Sequence, residues 1–511
     1  MRLPGTLAVA ALCVALYLRT PALGSHSVIL MSDIHHDPLY GTAMGYVCTQ
    51  NSSPIWGMFG CDSPPQLTAR SLDDASAQNT SLLLYSGDWQ RHHYLESALE
   101  PSAVFEELSE LFRRLQVDGS LGVTAFSAAL GNNDVVPDYF FSWINEGSEK
   151  ELSFRVEAMR AAGLLSDAEA AVMRKCGYYA HGTPYVHVIV LHTLLWTYAL
   201  KPSLPSNVSD PCEQFTFLRS QLEKTRADGK RAVIVGHIPP GLNTYYVLSR
   251  GFQSGAEDMF WKEVYEVTYD SIIYEYKDLI ALQLFGHTHR FKLLTMPRNG
   301  ALGIVAPAIS PIFSNYPSYL LANFSNAWSL EDVRIRYTSG GGVFHSGLSA
   351  KEALGLTTSL QSVTDVRAAI THLATDDTAW ERFLTMFCGG EKRLQVFPRA
   401  DCDKQCRYVL VCSMLENNYS DIQRCVADYN ALPGPSRITR TSSVMIAVIV
   451  LFSLVVIAAD VMLLLMSRSR QTALSWSNLK SAGWWKALVR RPQERVITEE
   501  SHEMQEVTGQ C

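Results

Sequence analysis

The sequence predicts a layered α/β fold over residues 25–338, and three observations carry the prediction. Short apolar runs rich in β-branched residues alternate with amphipathic stretches, the pattern of strands interleaved with helices. Nearly every run ends directly in a short segment of Asp, Asn or His beside Gly, as expected where a site is built from loops at the carboxyl ends of strands. The 511 residues, 47% hydrophobic and 18% charged, are enough for one large core or two ordinary ones.

Taken in order, the run at 27–31 leads into Ser32-Asp33-Ile34-His35, the run at 81–85 into Gly87-Asp88, and the run at 124–130 into Gly131-Asn132-Asn133-Asp134. A run at 186–191 follows, then 232–235 leads into Gly236-His237 and 281–285 into Gly286-His287-Thr288-His289. Ser339-Gly340-Gly341-Gly342 marks a break by composition. Residues 339–430 then read as a small helical domain stapled by cysteines, and 431–443, with Pro433 and Pro435, as a linker. No internal repeat is found.

Both ends address the chain to a membrane system. Arg2, an apolar run at 7–18 and the small residues Ala22 and Gly24 predict a removable signal peptide over 1–24. Residues 444–466 form an apolar run of 23, interrupted only by Asp460, which is long enough to span a bilayer. Asp460 is read as approaching the interface, and 467–511 as a cytoplasmic tail. A type I protein follows, its large N-terminal domain lumenal or extracellular, in a lysosome-like or endocytic compartment or at the cell surface. Five Asn-x-Ser/Thr acceptors, at Asn51, Asn79, Asn207, Asn323 and Asn418, all fall between signal and span. Of eleven cysteines, Cys13 lies in the signal and Cys511 in the tail, so an odd number faces the oxidising side and at least one stays unpaired. Cys402, Cys406, Cys412 and Cys425 lack the paired C-x2-C knuckles of a zinc ribbon, which favours disulfides. A net charge of −7 without a Lys/Arg block excludes a long nucleic-acid polymer as partner, and no protein partner is expected.

The five motifs supply seven oxygen and nitrogen ligands: Asp33, His35, Asp88, Asn132, His237, His287 and His289. One shared carboxylate, Asp88, is expected to bridge two cations about 3.5–4 Å apart, where the water between them becomes a nucleophile. Asp33 and His35, alternating at the end of one strand, approach one cation with His289; Asn132, His237 and His287 complete the other. A neutral Asn132 keeps an oxygen ligand without adding negative charge, which assigns it to catalysis and to substrate binding as well. Nitrogen-rich ligands favour Zn, Fe or Mn over Mg or Ca.

These motifs resemble the calcineurin-like metallophosphoesterases, and the surrounding sequence is similar to the acid sphingomyelinase-like phosphodiesterases among them. The likeness rests on Ser32-Asp33-Ile34-His35-His36-Asp37-Pro38-Leu39-Tyr40, on Ala306-Pro307-Ala308-Ile309-Ser310-Pro311 with Asn315-Tyr316-Pro317, and on Asp401-Cys402-Asp403-Lys404-Gln405-Cys406 through Cys425. It covers about residues 26–430. It implies a four-layer β-sandwich flanked by helices, a dizinc site on the seven ligands, and bridges joining Cys402 with Cys406 and Cys412 with Cys425. Many members carry a His after the motif Asn as leaving-group acid; here that position is Asn133, an amide that donates no proton near pH 6. His92 matches a second family histidine on the leaving-group side, and its ordinary pKa of about 6.5 suits the task. His93 is its neighbour. Gly87-Asp88-Trp89-Gln90-Arg91-His92 and Gly131-Asn132-Asn133-Asp134 also look like endopolyphosphatases, where Arg91 would sit near phosphate. Between the predicted cleavage point and Asp33 there is no room for a saposin-like lipid-handling domain.

The function expected is a metal-dependent phosphodiesterase acting on small phosphodiester or pyrophosphate substrates, nucleotide or phosphocholine-type, by in-line attack of a metal-bridging hydroxide. Sphingomyelin is included, with the span holding the enzyme at the bilayer. The alternatives are an endopolyphosphatase, or a catalytically weak surface glycoprotein that keeps its metals for stability. His181, His192 and His345 are read as structural, and Asp134 as holding a backbone turn or Asn133.

Overall fold

Twelve strands form two six-stranded sheets in the computed structural model, which describes residues 25–42, 48, 54–78, 80–92, 101–117, 125–142, 147–391 and 402–431. The expected signal at 1–24, the span at 444–466, the tail, His93, Asn51 and Asn79 lie outside the described residues. No helix among the described residues is long and apolar enough to cross a membrane.

The strands are β1 (His26–Met31), β2 (Leu82–Tyr85), β3 (Ala125–Ala128), β4 (Tyr179–Gly182), β5 (Val186–Val190), β6 (Arg231–Val235), β7 (Ile280–Phe285), β8 (Lys292–Leu294), β9 (Gly303–Val305), β10 (Ser318–Phe324), β11 (Leu330–Tyr337) and β12 (His345–Ser349). The first sheet runs β12-β11-β10-β1-β2-β3 and the second β4-β5-β6-β7-β9-β8. β1, β2 and β3 are parallel, Val28 lying opposite Leu82 and Leu82 opposite Ala125. β5, β6 and β7 are parallel too, with Val188 opposite Val233 and Val233 opposite Leu282. These strands are covered on both faces, which is why they read as continuous apolar runs rather than as alternations.

The strands that end in ligand motifs therefore stand side by side, three in one sheet and two in the other. Their carboxyl ends meet: Asp33 N–H donates to the Gly87 carbonyl at 3.0 Å, Gly286 N–H to that of His237 at 2.8 Å, and, between the sheets, His287 N–H to Asp33 Oδ1 at 3.0 Å. The helix Gln214–Ala227 packs on β5 and β6, and the helix Pro101–Val117 on β3.

After β9 the chain returns to the first sheet as the antiparallel strands β10, β11 and β12. Sequence reading placed no strand there, although Val333 and Ile335 alternate with Arg334 and Arg336 in β11 and turn inward. The Gly340, Gly341 and Gly342 turn, all at positive φ, joins β11 to β12. β12 passes straight into the helix Ala350–Leu354 through a capping box, the Ser349 side chain accepting from Glu352 N–H and Glu352 accepting from Ser349 N–H at 2.7 Å. The helices Val363–His372, Asp377–Phe387, Lys404–Leu415 and Tyr419–Ala431 follow.

Cys402 pairs with Cys406 and Cys412 with Cys425, as the resemblance implies. Cys48–Cys61 and Cys176–Cys212 are the other two bridges, and Cys388 is a buried thiol. Hydrogen bonds tie these helices to the sheets beside the apolar core they share. Thr295 N–H donates to the Met414 carbonyl at 2.9 Å, and Asp270, on the helix Glu263–Tyr276, accepts from Asn417 at 2.8 Å and from Asn299 at 3.0 Å. Burial pushes the Asp270 carboxyl up to about 6, and burial reinforced by Asp270 lifts its neighbour Glu266 well above the ordinary carboxyl range.

Candidate metal centre

The ligand loops owe their shape to left-handed backbone. Asp33 (φ 49°), His35 (43°), Asp88 (60°), His287 (70°) and His289 (58°) all occupy a region that costs a non-glycine residue roughly 1–3 kcal/mol. The expectation that Asp33 and His35 alternate on a strand end is thus corrected: β1 stops at Met31, and both lie in the loop beyond it. Hydrogen bonds hold that loop against the strain, His35 N–H donating to the Asp88 carbonyl at 3.1 Å and His36 N–H to that of Trp89 at 2.8 Å. Two motif glycines are required by close approach, since a Cβ at Gly131 would overlap Asp88 Oδ1 and one at Gly286 would overlap Ser32 Oγ.

The seven residues expected as ligands converge. Asp88 Oδ2 lies 3.3 Å from His35 Nε2 and 3.2 Å from His237 Nε2, so it touches both halves of the set. On one side His289 Nε2 is 3.4 Å from Asp33 Oδ1 and 3.1 Å from His35 Nε2. On the other, His237 Nε2 is 3.1 Å from Asn132 Oδ1, and His287 offers a ring nitrogen to the same group as Asp88 and His237.

The tautomers decide what these contacts mean. His35 Nδ1 is 3.0 Å from the Gln90 carbonyl and His237 Nδ1 is 2.9 Å from that of Ser86; a carbonyl only accepts, so both Nδ1 atoms carry the hydrogen. As neutral rings both turn their Nε2 lone pairs inward, His35 beside His289 Nε2 and His237 beside Asn132 Oδ1, the direction from which a metal would be held. Protons answer the buried negative charge here, His237, which burial alone would lower, being pushed up to about 9 by Asp88, and a set of imidazoles, carboxylates and one amide oxygen suits divalent transition metals in their place. The carboxylates carry the same demand. Burial, aided by the Asp88 charge and opposed by His237, pushes Asp33 up to about 7, whereas Asp88, which burial alone would raise, is held well below its ordinary range by His237 and His35.

An outer ring of polar residues fixes the ligands. As expected, Asp134 holds a turn: its carboxylate accepts from the N–H groups of Asp88 (2.9 Å), Trp89 (2.7 Å) and Gly131 (2.7 Å). Asn133 donates to both Asp88 oxygens, from its backbone at 2.9 Å and its side chain at 3.0 Å. Asp138 accepts from the Asn132 amide nitrogen at 2.8 Å, which turns the amide oxygen toward His237.

His92 stacks on His35 with ring centroids 4.0 Å apart, and its ring nitrogen is within reach of those of His35 and His289. Asp62 grips it twice, accepting from His92 N–H at 2.9 Å and facing Nδ1 at 3.0 Å, and is itself held by the Ser310 hydroxyl at 3.1 Å. Burial alone would lower His92, yet the Asp62 charge and hydrogen bond push it up to about 9, so the ordinary value expected from sequence does not hold. Sequence reading missed Asp62 and Asp138, and a lone Asp in a loop offers no signal to find either. Arg91 is not on the surface: it is 2% exposed with its guanidinium 3.6 Å from Asp37. His181 faces Glu169 at 2.7 Å, His192 the Cys176 carbonyl at 2.9 Å, and His345 lies exposed on β12. Aromatic rings stand edge-on to the rim, Phe260 at 5.1 Å from His287 and Phe313 at 4.6 Å from His289.

The sequence profile of the calcineurin-like phosphoesterases matches residues 26–291. The chain is similar to a sphingomyelinase phosphodiesterase D of Dictyostelium discoideum, 26% identical over 52% of this chain and 58% of that one. It is similar to an acid sphingomyelinase-like phosphodiesterase 3b of Mus musculus, 28% identical over 51% of this chain and 56% of that one. These two matches span little more than half of the relatives' length. A cyclic GMP-AMP phosphodiesterase SMPDL3A of Rattus norvegicus is 25% identical over 80% of this chain and 92% of that one.

Proposed function

This chain belongs to the calcineurin-like phosphoesterase family, and from that premise we propose that it is a metal-dependent hydrolase of small phosphodiesters or pyrophosphates. The single observation that carries the proposal is the convergence of His35 and His289 on one side and of His237 and Asn132 on the other around the Asp88 carboxylate. In this reading Asp33, His35 and His289 hold one divalent cation, Asn132, His237 and His287 the other, and Asp88 both, with Zn the metal the resemblance implies. When bound, the pair supplies an activated water and neutralises charge on the phosphoryl oxygens. Asn133 and Asp134 keep Asp88 in place, Asp138 orients Asn132, and His92, held by Asp62, gives a proton to the leaving oxygen.

The relatives' names point to sphingomyelin and cyclic GMP-AMP as the substrates to try. Four disulfides support an oxidising compartment. With the apolar run at 444–466 they fit a type I membrane-anchored enzyme whose site is lumenal or extracellular. The test is hydrolysis of bis(p-nitrophenyl) phosphate by the purified chain, abolished by chelation and restored by Zn. A chain that binds Zn and hydrolyses no diester would instead be a metal-stabilised surface glycoprotein. Asn133 favours a second reading, an endopolyphosphatase, and long-chain polyphosphate in the same assay decides between the two.

A further inference from the structure

A tight tip, Pro54 to Gly60, stands beside the metal centre and exposes apolar side chains. Ile55 is 55% exposed, Met58 43% and Phe59 39%, and the tip holds no charged residue. It is built to stay in place. Gly57 N–H closes a turn on the Pro54 carbonyl at 3.0 Å, Gly60 N–H donates to the Pro311 carbonyl at 3.3 Å, and the next residue, Cys61, is bridged to Cys48. Trp56 lies against the Gly342 turn, where a Cβ would meet its ring at 2.6 Å.

The tip is continuous with the site. The Phe59 ring meets Tyr316 edge-on at 5.4 Å, and three residues earlier Phe313 stands 4.6 Å from His289 and 5.8 Å from His92. Residues 310–317 are also without charge, so an uncharged strip runs from the tip to the rim of the metal centre.

We propose that this tip docks on a lipid bilayer, Ile55, Met58 and Phe59 entering the interface, so that the metal centre opens toward phosphodiesters presented by the membrane. Three features favour a bilayer over a protein partner. Branched aliphatic, thioether and aromatic side chains on one turn, with a Trp at its base, make up an interfacial insertion surface. A protein seated on the strip would cover the mouth of the site, whereas a bilayer delivers substrate through it. Twelve residues separate the apolar run at 444–466 from the last described helix, which ends at Ala431, a tether of about 40 Å at full extension.

The purpose of the docking rests on the hydrolase reading; the docking itself is measured apart from it. Full-chain wild type and the double variant Met58→Asp/Phe59→Asp are placed in nanodiscs of plain or brominated phosphatidylcholine. Brominated lipid is expected to quench Trp56 emission in the wild type, seen as the difference from Trp56→Phe, and to lose that effect in the double variant. In parallel, the double variant is expected to keep its rate on bis(p-nitrophenyl) phosphate within twofold and to lose at least tenfold on a fluorogenic-headgroup phospholipid in vesicles. Equal quenching, or equal vesicle rates, in wild type and variant overturns the inference. So does lipid-free dimerisation of the wild type that the variant abolishes, which assigns the tip to a second copy. A wild type that is quenched but hydrolyses neither substrate sinks the hydrolase reading and leaves the docking established.

Discussion

Replacing Asp62 by Ala tests the proton-donor arm of the site. The carboxylate holds His92 through two contacts of 2.9 and 3.0 Å, and it outweighs the burial that would otherwise lower the imidazole. His92 stands at about 9 with Asp62 in place, so the ring is protonated across neutral pH. Without Asp62 the burial remains and the ring falls toward its ordinary value of 6.5 or below, a loss worth roughly 3 kcal/mol of proton affinity. Bound cations repel the proton and lower both values, but the difference that Asp62 makes remains. At pH 7.5 a ring near its ordinary value is protonated to only about one tenth, so the acid-assisted rate falls ~10-fold from protonation alone. Lost orientation adds to this, toward the roughly 10²–10⁴ typical of removing a general acid. The assay compares two diesters in Zn-loaded protein, one leaving as p-nitrophenolate, which needs no proton, and one leaving as an alkoxide. The nitrophenyl rate is expected to change less than about threefold and the alkoxide rate to fall at least tenfold, with part of the loss recovered at pH 5.5. Equal losses on both substrates at both pH values, or a fall in bound metal, would refute the role assigned to Asp62 and His92.

Three further outcomes follow from the same geometry. Asn133→Ala removes the 3.0 Å hydrogen bond on Asp88 Oδ2 while the backbone bond persists, and Zn affinity measured by chelator competition is expected to fall about 10–100-fold. Gly131→Ala drives a Cβ into Asp88 Oδ1 and against the Asp88 backbone nitrogen, so metal content and thermal stability are expected to fall together; a loaded, active variant would contradict the packing described. Glu266 and Asp270 bind protons more tightly folded than unfolded, so their contribution is fully present below the ordinary carboxyl range and is lost as pH rises above it, for Asp270 through about 6. Glu266→Gln is expected to weaken that fall and to raise Tm at pH 7.5 by roughly 2 °C or more, with little change at pH 4.5, in a thermal melt at both pH values.

The parts legible in the sequence were those written in contiguous residues. Runs such as Val186–Val190 and Ile280–Phe285 announce buried parallel strands by composition alone, and a ligand pair such as His287 and His289 carries its own spacing. Three-residue strands such as Lys292–Leu294 are too short for any period to show. β10 pairs with β1, far away in the chain, and brings β11 and β12 to the same sheet, and no local pattern states which sheet a returning strand joins. The residues that aim the ligands were silent for a related reason. Asp62 lies thirty positions before His92, and its role exists only after the loop has folded back. Even the ligand spacing misled in one respect: an i, i+2 pair suggests a strand end, whereas Asp33 and His35 use two left-handed residues to point inward together.

The bridge between Cys48 and Cys61 separates the history of the ligands from that of the donor. The seven ligand residues ride on loops at the ends of β1, β2, β3, β6 and β7, and none of them is next to a half-cystine. Asp62 directly follows Cys61. If the proposed roles hold, a chain made in a reducing bacterial cytosol is expected to load its cations and still hold its proton-giving arm loosely. Recombinant material of that origin would pass a metal assay yet understate turnover on every ester whose departing group is a poor one.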